Sequence, residues 1–229
     1  GAKWFDSSGG QLGRCFPNAR FAEFYGASEL SFVTVAKEGE RAPPDSVGRA
    51  FPGVVITIRD RRGRRLPRGR TGLVFVESQM LFSGYVIGEE KDIYRVGRAV
   101  SVGDLGFLDA NGFLHLVGRA GRMLVTSGKN VFPEEIERVL KGHPDLLEAA
   151  VFGTPDVKRG QRLAAVVCPR NGKRLSRAAL IAHARAALPL YKVPRLYCVA
   201  NEWPRTRSGK TDFAALQRHW REGRLEALE

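Results

Sequence analysis

Four short polar stretches in this 229-residue chain put carboxylate, hydroxyl or cationic side chains next to glycines, where backbone and side chain can both approach a ligand. Tyr25-Gly26-Ala27-Ser28-Glu29 offers an aromatic face, a close-approach glycine, a hydroxyl and a carboxylate, a set suited to a nucleobase and a hard cation such as Mg²⁺. Gly103-Asp104-Leu105-Gly106 presents one carboxylate that could accept from two ribose hydroxyls. Gly118-Arg119 supplies a guanidinium for a phosphate or a ribose. Pro204-Arg205-Thr206-Arg207-Ser208-Gly209-Lys210 is a polar loop whose ammonium could neutralise charge developing on a phosphate oxygen. Each has a plainer reading when taken singly: a strand end, a turn, one arginine among 28, a surface loop. The last stretch is superficially like a phosphate-binding loop, but the first glycine is missing at the required distance.

The elements that must position these residues change in character along the chain. Phe16 to Glu29 reads as a buried strand ending in a turn. From Ser31 to Val117, β-branched and aromatic runs at Phe32–Val35, Val54–Ile58, Gly72–Val76 and Phe113–Val117 are separated by turn residues such as Asp109-Ala110-Asn111-Gly112. A meandering sheet or distorted barrel follows. After Gly118 to Gly121 helices enter. Pro133–Leu140 has proline at its first position, acids in its first turn and Gly142 past its end. A helix capped by Ser176 runs to Leu188, with Leu180, Ile181, Ala184, Ala187 and Leu188 on one face. Strands are expected at Glu148–Phe152, Leu163–Cys168 and Leu196–Val199, and a last helix over Phe213–Leu225. The fold class is α+β, with a domain boundary near residues 119 to 121.

With 37 Lys+Arg against 24 Asp+Glu, the net charge is +13. Seven of those arginines fall in the twelve residues Arg59 to Arg70. A nucleic-acid surface is one reading of that cluster. The other is an exposed hairpin of solvated charge, which the glycines and Pro67 favour and the lack of interleaved aromatics supports, so no nucleic acid is expected. Cys15, Cys168 and Cys198 have neither disulfide nor zinc spacing and read as small packed residues. No apolar run approaches the roughly 20 residues of a membrane span, and a cytoplasmic protein is the expectation.

In order and spacing the four stretches resemble the adenylate-forming superfamily of acyl-CoA synthetases, peptide-synthetase adenylation domains and luciferases. Tyr25 to Glu29 is similar to the family's Tyr-Gly-x-Thr-Glu, with serine for threonine, and Ser83-Gly84-Tyr85 to its following Gly-Tyr. Gly103 to Gly106 is similar to Thr-Gly-Asp-Leu-Gly, and Gly118-Arg119 through Ser127-Gly128-Lys129-Asn130 to Glu137 to the Gly-Arg and Pro-x-Glu-Ile-Glu block. Leu188 to Pro194 and Pro204 to Lys210 resemble the two closing motifs. The resemblance implies the end of an α/β subdomain, a β-rich distorted-barrel subdomain to residue 118, a hinge at 119–121 and a small mobile α+β domain over 122–229.

It further implies an acid-thiol ligase that uses ATP, Mg²⁺ and coenzyme A on a carboxylic acid, as in fatty acid metabolism, and that alternates two domain positions. Tyr25 would line the adenine site, and Glu23, Phe24, Gly26, Ala27 and Ser28 would contact ATP. Glu29 and Ser28 would hold Mg²⁺. Asp104 would bind the ribose, and Arg119 the nucleotide. Lys210, with Glu29, would be catalytic, and Ser127, Gly128, Lys129 and Asn130 would meet the thiol of CoA. Loading of a carrier protein is the alternative within the same chemistry. Gly121 stands where the family carries a charged hinge residue. Gly1-Ala2 resembles the stretch just before the first motif, so the expectation is a C-terminal half without the triphosphate-binding loop, inactive alone. Phe24, Leu30, Ser31 and Phe32 flank the first motif and do not distinguish fatty from aryl acids.

Overall fold

A computed structural model describes residues 14–20, 22–37, 42–43, 45–86, 92–170 and 173–229. By internal contacts the chain divides into two units, Gly1–Gly121 and Arg122–Glu229. Among the described residues no helix is long and apolar enough to cross a membrane.

The first unit is built on one antiparallel sheet. Its strands are β1 (Ala22–Ala27), β2 (Ser31–Lys37), β3 (Ser46–Ala50), β4 (Val55–Arg59), β5 (Gly72–Glu77), β6 (Tyr94–Val96), β7 (Ala99–Ser101), β8 (Asp104–Leu108) and β9 (Phe113–Arg119). They lie in the order β1-β2-β3-β9-β8-β5-β7-β6, with β4 paired to β5. The end strands do not pair, so among the described residues the sheet is open: of the meandering sheet or distorted barrel expected, it forms no closed barrel. Strand length and alternation set the faces of a sheet, but closure depends on pairing between its two ends, which local pattern does not encode.

Continuous burial of β5 explains its unbroken apolar run: Val74 and Val76 join one core with Leu30, Val33, Ile58 and Leu114, whereas Leu73 and Phe75 join a second with Ala99. β1 departs from the buried strand expected at Phe16–Glu29. It alternates exposed and half-buried positions, with Phe24 at 61% exposure. The arginine cluster forms the β4–β5 connection, where the Asp60 carboxylate accepts from the backbone N–H groups of Arg62 and Arg64 and from Arg64 Nε. Arg59 is turned inward, over the Phe75 ring and 3.5 Å from Glu77.

The second unit combines a hairpin, β10 (Leu124–Thr126) and β11 (Lys129–Val131), with a four-stranded sheet and three helices. The sheet runs β12 (Leu146–Asp156), β13 (Gly160–Pro169), β14 (Leu196–Val199) and β15 (Glu226–Ala227). β13 and β14 are parallel, and α2 (Arg177–Ala187) lies in the crossover that such a pair requires. Alternation sorts the core. Ala149, Val151, Leu163, Ala165 and Val167 face Ile136 and Leu140 of α1 (Pro133–Lys141) and Leu180 and Ala184 of α2. Ala150, Phe152, Ala164 and Val166 pack with Leu216 and Trp220 of α3 (Phe213–Arg221) on the other face.

Ser176 caps α2 by accepting from the Ala179 N–H, whereas Ala187, expected on its buried face, is exposed. α3 stops at Arg221, four residues before the expected Leu225. Gly223 at φ 65° ends the turn and sends the chain into β15. Cys168 and Cys198 are buried as expected, but Cys15 is exposed.

Arg122 opens this unit with both ends of its guanidinium engaged. Nη2 donates to Glu137 Oε1 at 2.5 Å and Nη1 to Glu134 Oε1 at 3.2 Å, and the plane lies 3.7 Å over Phe213. The buried Glu137 also accepts from the Val151 N–H at 2.8 Å.

Candidate functional site

Asp104 is where separated parts of the first unit converge. It is the first residue of β8 and pairs in register with Arg119, the last residue of β9, whose Nε donates to Asp104 Oδ1 at 3.0 Å. The Ala120 N–H closes this hairpin end onto the Gly103 carbonyl at 2.8 Å. The other oxygen, Oδ2, accepts from the hydroxyl of Tyr25, 79 residues away on β1. In a flat sheet β1 and β8 would stand four strand spacings, about 19 Å, apart. The contact therefore requires the sheet to curl its β1 side toward β8. The Asp104 side chain is 10% exposed and that of Arg119 59%, so the carboxylate is largely enclosed and the guanidinium reaches solvent.

Gly26 sets the local shape. The register of β1 against β2 shifts between Tyr25 and Gly26, and a Cβ on Gly26 would fall 2.1 Å from the Ser31 carbonyl oxygen. No side chain fits there, because the opposing group is backbone. Ala27 and Tyr25 pack on the core side, whereas Phe24 meets Phe32 edge to face at 4.9 Å. Glu23 is half-buried on the same strand, which is the outer strand of the sheet among the described residues. Ser28 is exposed in the following turn, and Glu29 beside it accepts at Oε1 from the Tyr85 hydroxyl.

Burial, then the negative charge of Asp104 and its hydrogen bond, push the Tyr25 hydroxyl far above the ordinary tyrosine range, opposed in part by Arg119. Tyr197, buried in the second unit with no partner for its hydroxyl among the described residues, is pushed up to about 12 by burial. Both shifts favour the neutral phenol. Their stabilisation is complete below the unfolded value of about 10 and is lost as the pH rises past it. Absorbance titration of the folded protein should therefore show a tyrosine fraction that ionises only above about pH 11, and Tyr25→Phe should diminish it. A wild-type titration complete by about pH 11 would contradict both assignments.

In the second unit, Ser127 (φ 50°) and Gly128 (φ 73°) form the two-residue turn of the β10–β11 hairpin, a left-handed pair that serine followed by glycine can adopt. Lys129 and Asn130 follow, both exposed, with Lys129 Nζ 4.3 Å from the Tyr191 ring centre. This hairpin borders a cavity of about 340 Å³ whose wall includes Lys129, Arg159, Arg162, Arg195 and Tyr191. Among the described residues the ion pairing of these four cations is limited to Arg159 with Asp156 at 3.9 Å, and Arg162 Nε is buried without a hydrogen-bond partner. Sequence reading missed the cavity, since its cations come from β11, the β12–β13 turn, β13 and the segment before β14, far apart along the chain.

Lys210 lies exposed on another loop of that unit, its backbone carbonyl accepting from the Thr206 N–H. Arg205 clamps the loop, donating from Nη1 to the Gly209 carbonyl at 3.0 Å and from Nη2 to Glu148 Oε1 at 2.6 Å. Trp203 Nε1 fixes the far side through Thr211 at 3.0 Å. The Lys210 ammonium has no hydrogen bond or ion pair among the described residues. Glu148, Arg205 and Tyr85 are supporting residues to which the sequence alone gave no role.

Residues 5–86 match the family described as AMP-binding enzyme, and residues 135–210 match the AMP-binding enzyme C-terminal domain. An uncharacterized acyl-CoA ligase of Bacillus subtilis (strain 168) is 41% identical over 211 residues, 92% of this chain and 42% of that protein. ATP-bound MatB from Rhodopseudomonas palustris superimposes with a TM-score of 0.76 at 31% identity, over 88% of this chain and 41% of that one. The o-succinylbenzoate CoA synthetase of Bacillus subtilis, in complex with its acyl-adenylate intermediate, gives 0.79 at 26% identity over 90% and 43%. The chain spans less than half the length of each of these relatives. With two parts of one family matched in order along it, and solved members sharing its fold, the chain belongs to the AMP-binding, adenylate-forming enzyme superfamily.

Proposed function

We propose that this chain supplies the C-terminal half of an ATP-dependent acid-thiol ligase that makes acyl-AMP and then an acyl-CoA thioester. The observation that carries the reading is the enclosed Asp104 carboxylate, held on both oxygens yet keeping acceptor capacity on each, in a chain that also bears, at Lys210, a lysine unpaired among the described residues. Asp104 receives the ribose hydroxyls and Tyr25 flanks the adenine, while the backbone from Glu23 to Ser28 lines the nucleotide. In the first half-reaction a substrate carboxylate oxygen bonds to the α-phosphorus of ATP and the bond to pyrophosphate breaks. Lys210 stabilises the negative charge shared by the carboxylate and the α-phosphate. In the second, the CoA sulfur bonds to the acyl carbon and AMP leaves.

The donors at the Mg²⁺ position are one carboxylate, Glu29, and one hydroxyl, Ser28. Such a sparse oxygen set suits an ion that keeps most of its waters and takes nucleotide phosphates as further ligands. When bound, it would offset phosphate charge.

The two half-reactions need different groups near the carbonyl, and in this reading the chain turns at Gly121 to exchange them. Ala120 is tied to the first unit through Gly103 and Arg122 to the second through Glu134 and Glu137, leaving Gly121 between two anchored points.

Coenzyme A as acceptor is supported by the cavity beside Ser127 to Asn130. Four cations there suit the phosphates of CoA. In calorimetric titrations CoA should bind the chain at least about tenfold more tightly than pantetheine, and Arg162→Ala with Arg195→Ala should remove the difference. Equal binding of CoA and pantetheine by the unaltered chain would overturn the assignment of the acceptor.

A further inference from the structure

The Asp104 carboxylate does not sit free in its site. One oxygen accepts from the Tyr25 hydroxyl and the other from Arg119 Nε, so its plane is fixed from two directions, one along its own hairpin and one across the curled sheet. An ionised carboxylate has about four lone-pair sites, two on each oxygen. With one used on each oxygen, one remains on each. Two neighbouring hydroxyl donors on a ligand match that arrangement, whereas a ligand with neither hydroxyl leaves both sites without partners in a mostly enclosed carboxylate.

We infer that the Tyr25 hydroxyl and the Arg119 guanidinium are positioning residues that set the Asp104 carboxylate for a vicinal diol, so that discrimination for the diol depends on them and not on Asp104 alone. This rests on the reading of Asp104 as the ribose acceptor. It assigns Tyr25 a second task, carried by its O–H and separable from any contact its ring makes with a base. It also assigns Arg119 a task distinct from meeting a phosphate, since Nε is the nitrogen directed to Asp104 and the rest of the largely exposed guanidinium stays available. The neutral state of Tyr25 suits the task, because a phenol can donate to a carboxylate and a phenolate would repel it.

The test uses AMP and 2′,3′-dideoxy-AMP, titrated by calorimetry into the 229-residue chain. The unaltered protein should bind AMP about tenfold more tightly than the dideoxy nucleotide. Tyr25→Phe keeps the ring and removes the donor. It should cut the preference to less than about threefold, weakening AMP more than dideoxy-AMP. Arg119→Gln, at a mostly exposed position that does not threaten folding, should lower the same preference. Retention of the full preference by both variants overturns the inference, and so does equal weakening of both nucleotides, which marks a merely structural role. Absence of any preference in the unaltered chain, or of AMP binding altogether, overturns instead the assignment of Asp104 on which the inference stands.

Discussion

Lys210→Ala is expected to slow acyl-adenylate formation by the complete ligase by about 10²–10³-fold, while leaving thioester formation from supplied acyl-AMP within about threefold. The asymmetry follows from where charge develops. Carboxylate attack brings negative oxygens together at the α-phosphate, and a positioned ammonium is worth most there. The Lys210 side chain is exposed and unpaired among the described residues, so removing it costs the fold little. Its loop is meanwhile held by Arg205, Gly209 and Glu148, and by Trp203 with Thr211. Pyrophosphate exchange reports the first half-reaction, and CoA consumption with synthetic acyl-AMP reports the second. Equal losses in both would remove Lys210 from the adenylation step.

The second large effect concerns stability. Glu137→Ala should destabilise the second unit by about 3–5 kcal/mol, a fall in Tm of more than about 10 °C for a unit of this size. Glu137 is buried, and its carboxylate joins Arg122 to the Val151 N–H. Truncation leaves the guanidinium over Phe213 with Glu134 and the Val151 carbonyl as its remaining acceptors, and leaves the Val151 N–H without its acceptor. The loss falls on Arg122, the residue that anchors the chain just after Gly121. Scanning calorimetry would read the change, and a loss below about 1 kcal/mol would show that the network contributes little.

Much of the fold was legible because it is local. The run Leu73-Val74-Phe75-Val76 announced a strand, Pro133 with its acidic first turn announced α1, and Ser176 announced the start of α2. The end of α3 was not, since Leu225 continues the apolar period and the left-handed Gly223 overrides it. The site divides in the same way. Asp104 and Arg119 belong to one hairpin and stood out as neighbouring motifs, but the approach of Tyr25 depends on curvature accumulated over four strand pairings. The cationic cavity and the Glu148–Arg205 clamp join residues tens of positions apart, with no shared periodicity to mark them.

Asp104 is proposed to hold the ribose of an acyl-adenylate. Crystals of the chain with a non-hydrolysable acyl-sulfamoyl adenosine would test it most directly. Both ribose hydroxyls are predicted within hydrogen-bond distance of the Asp104 carboxylate, with Tyr25 still donating to it; an analogue bound elsewhere, or bound with its ribose turned away from Asp104, would contradict the account.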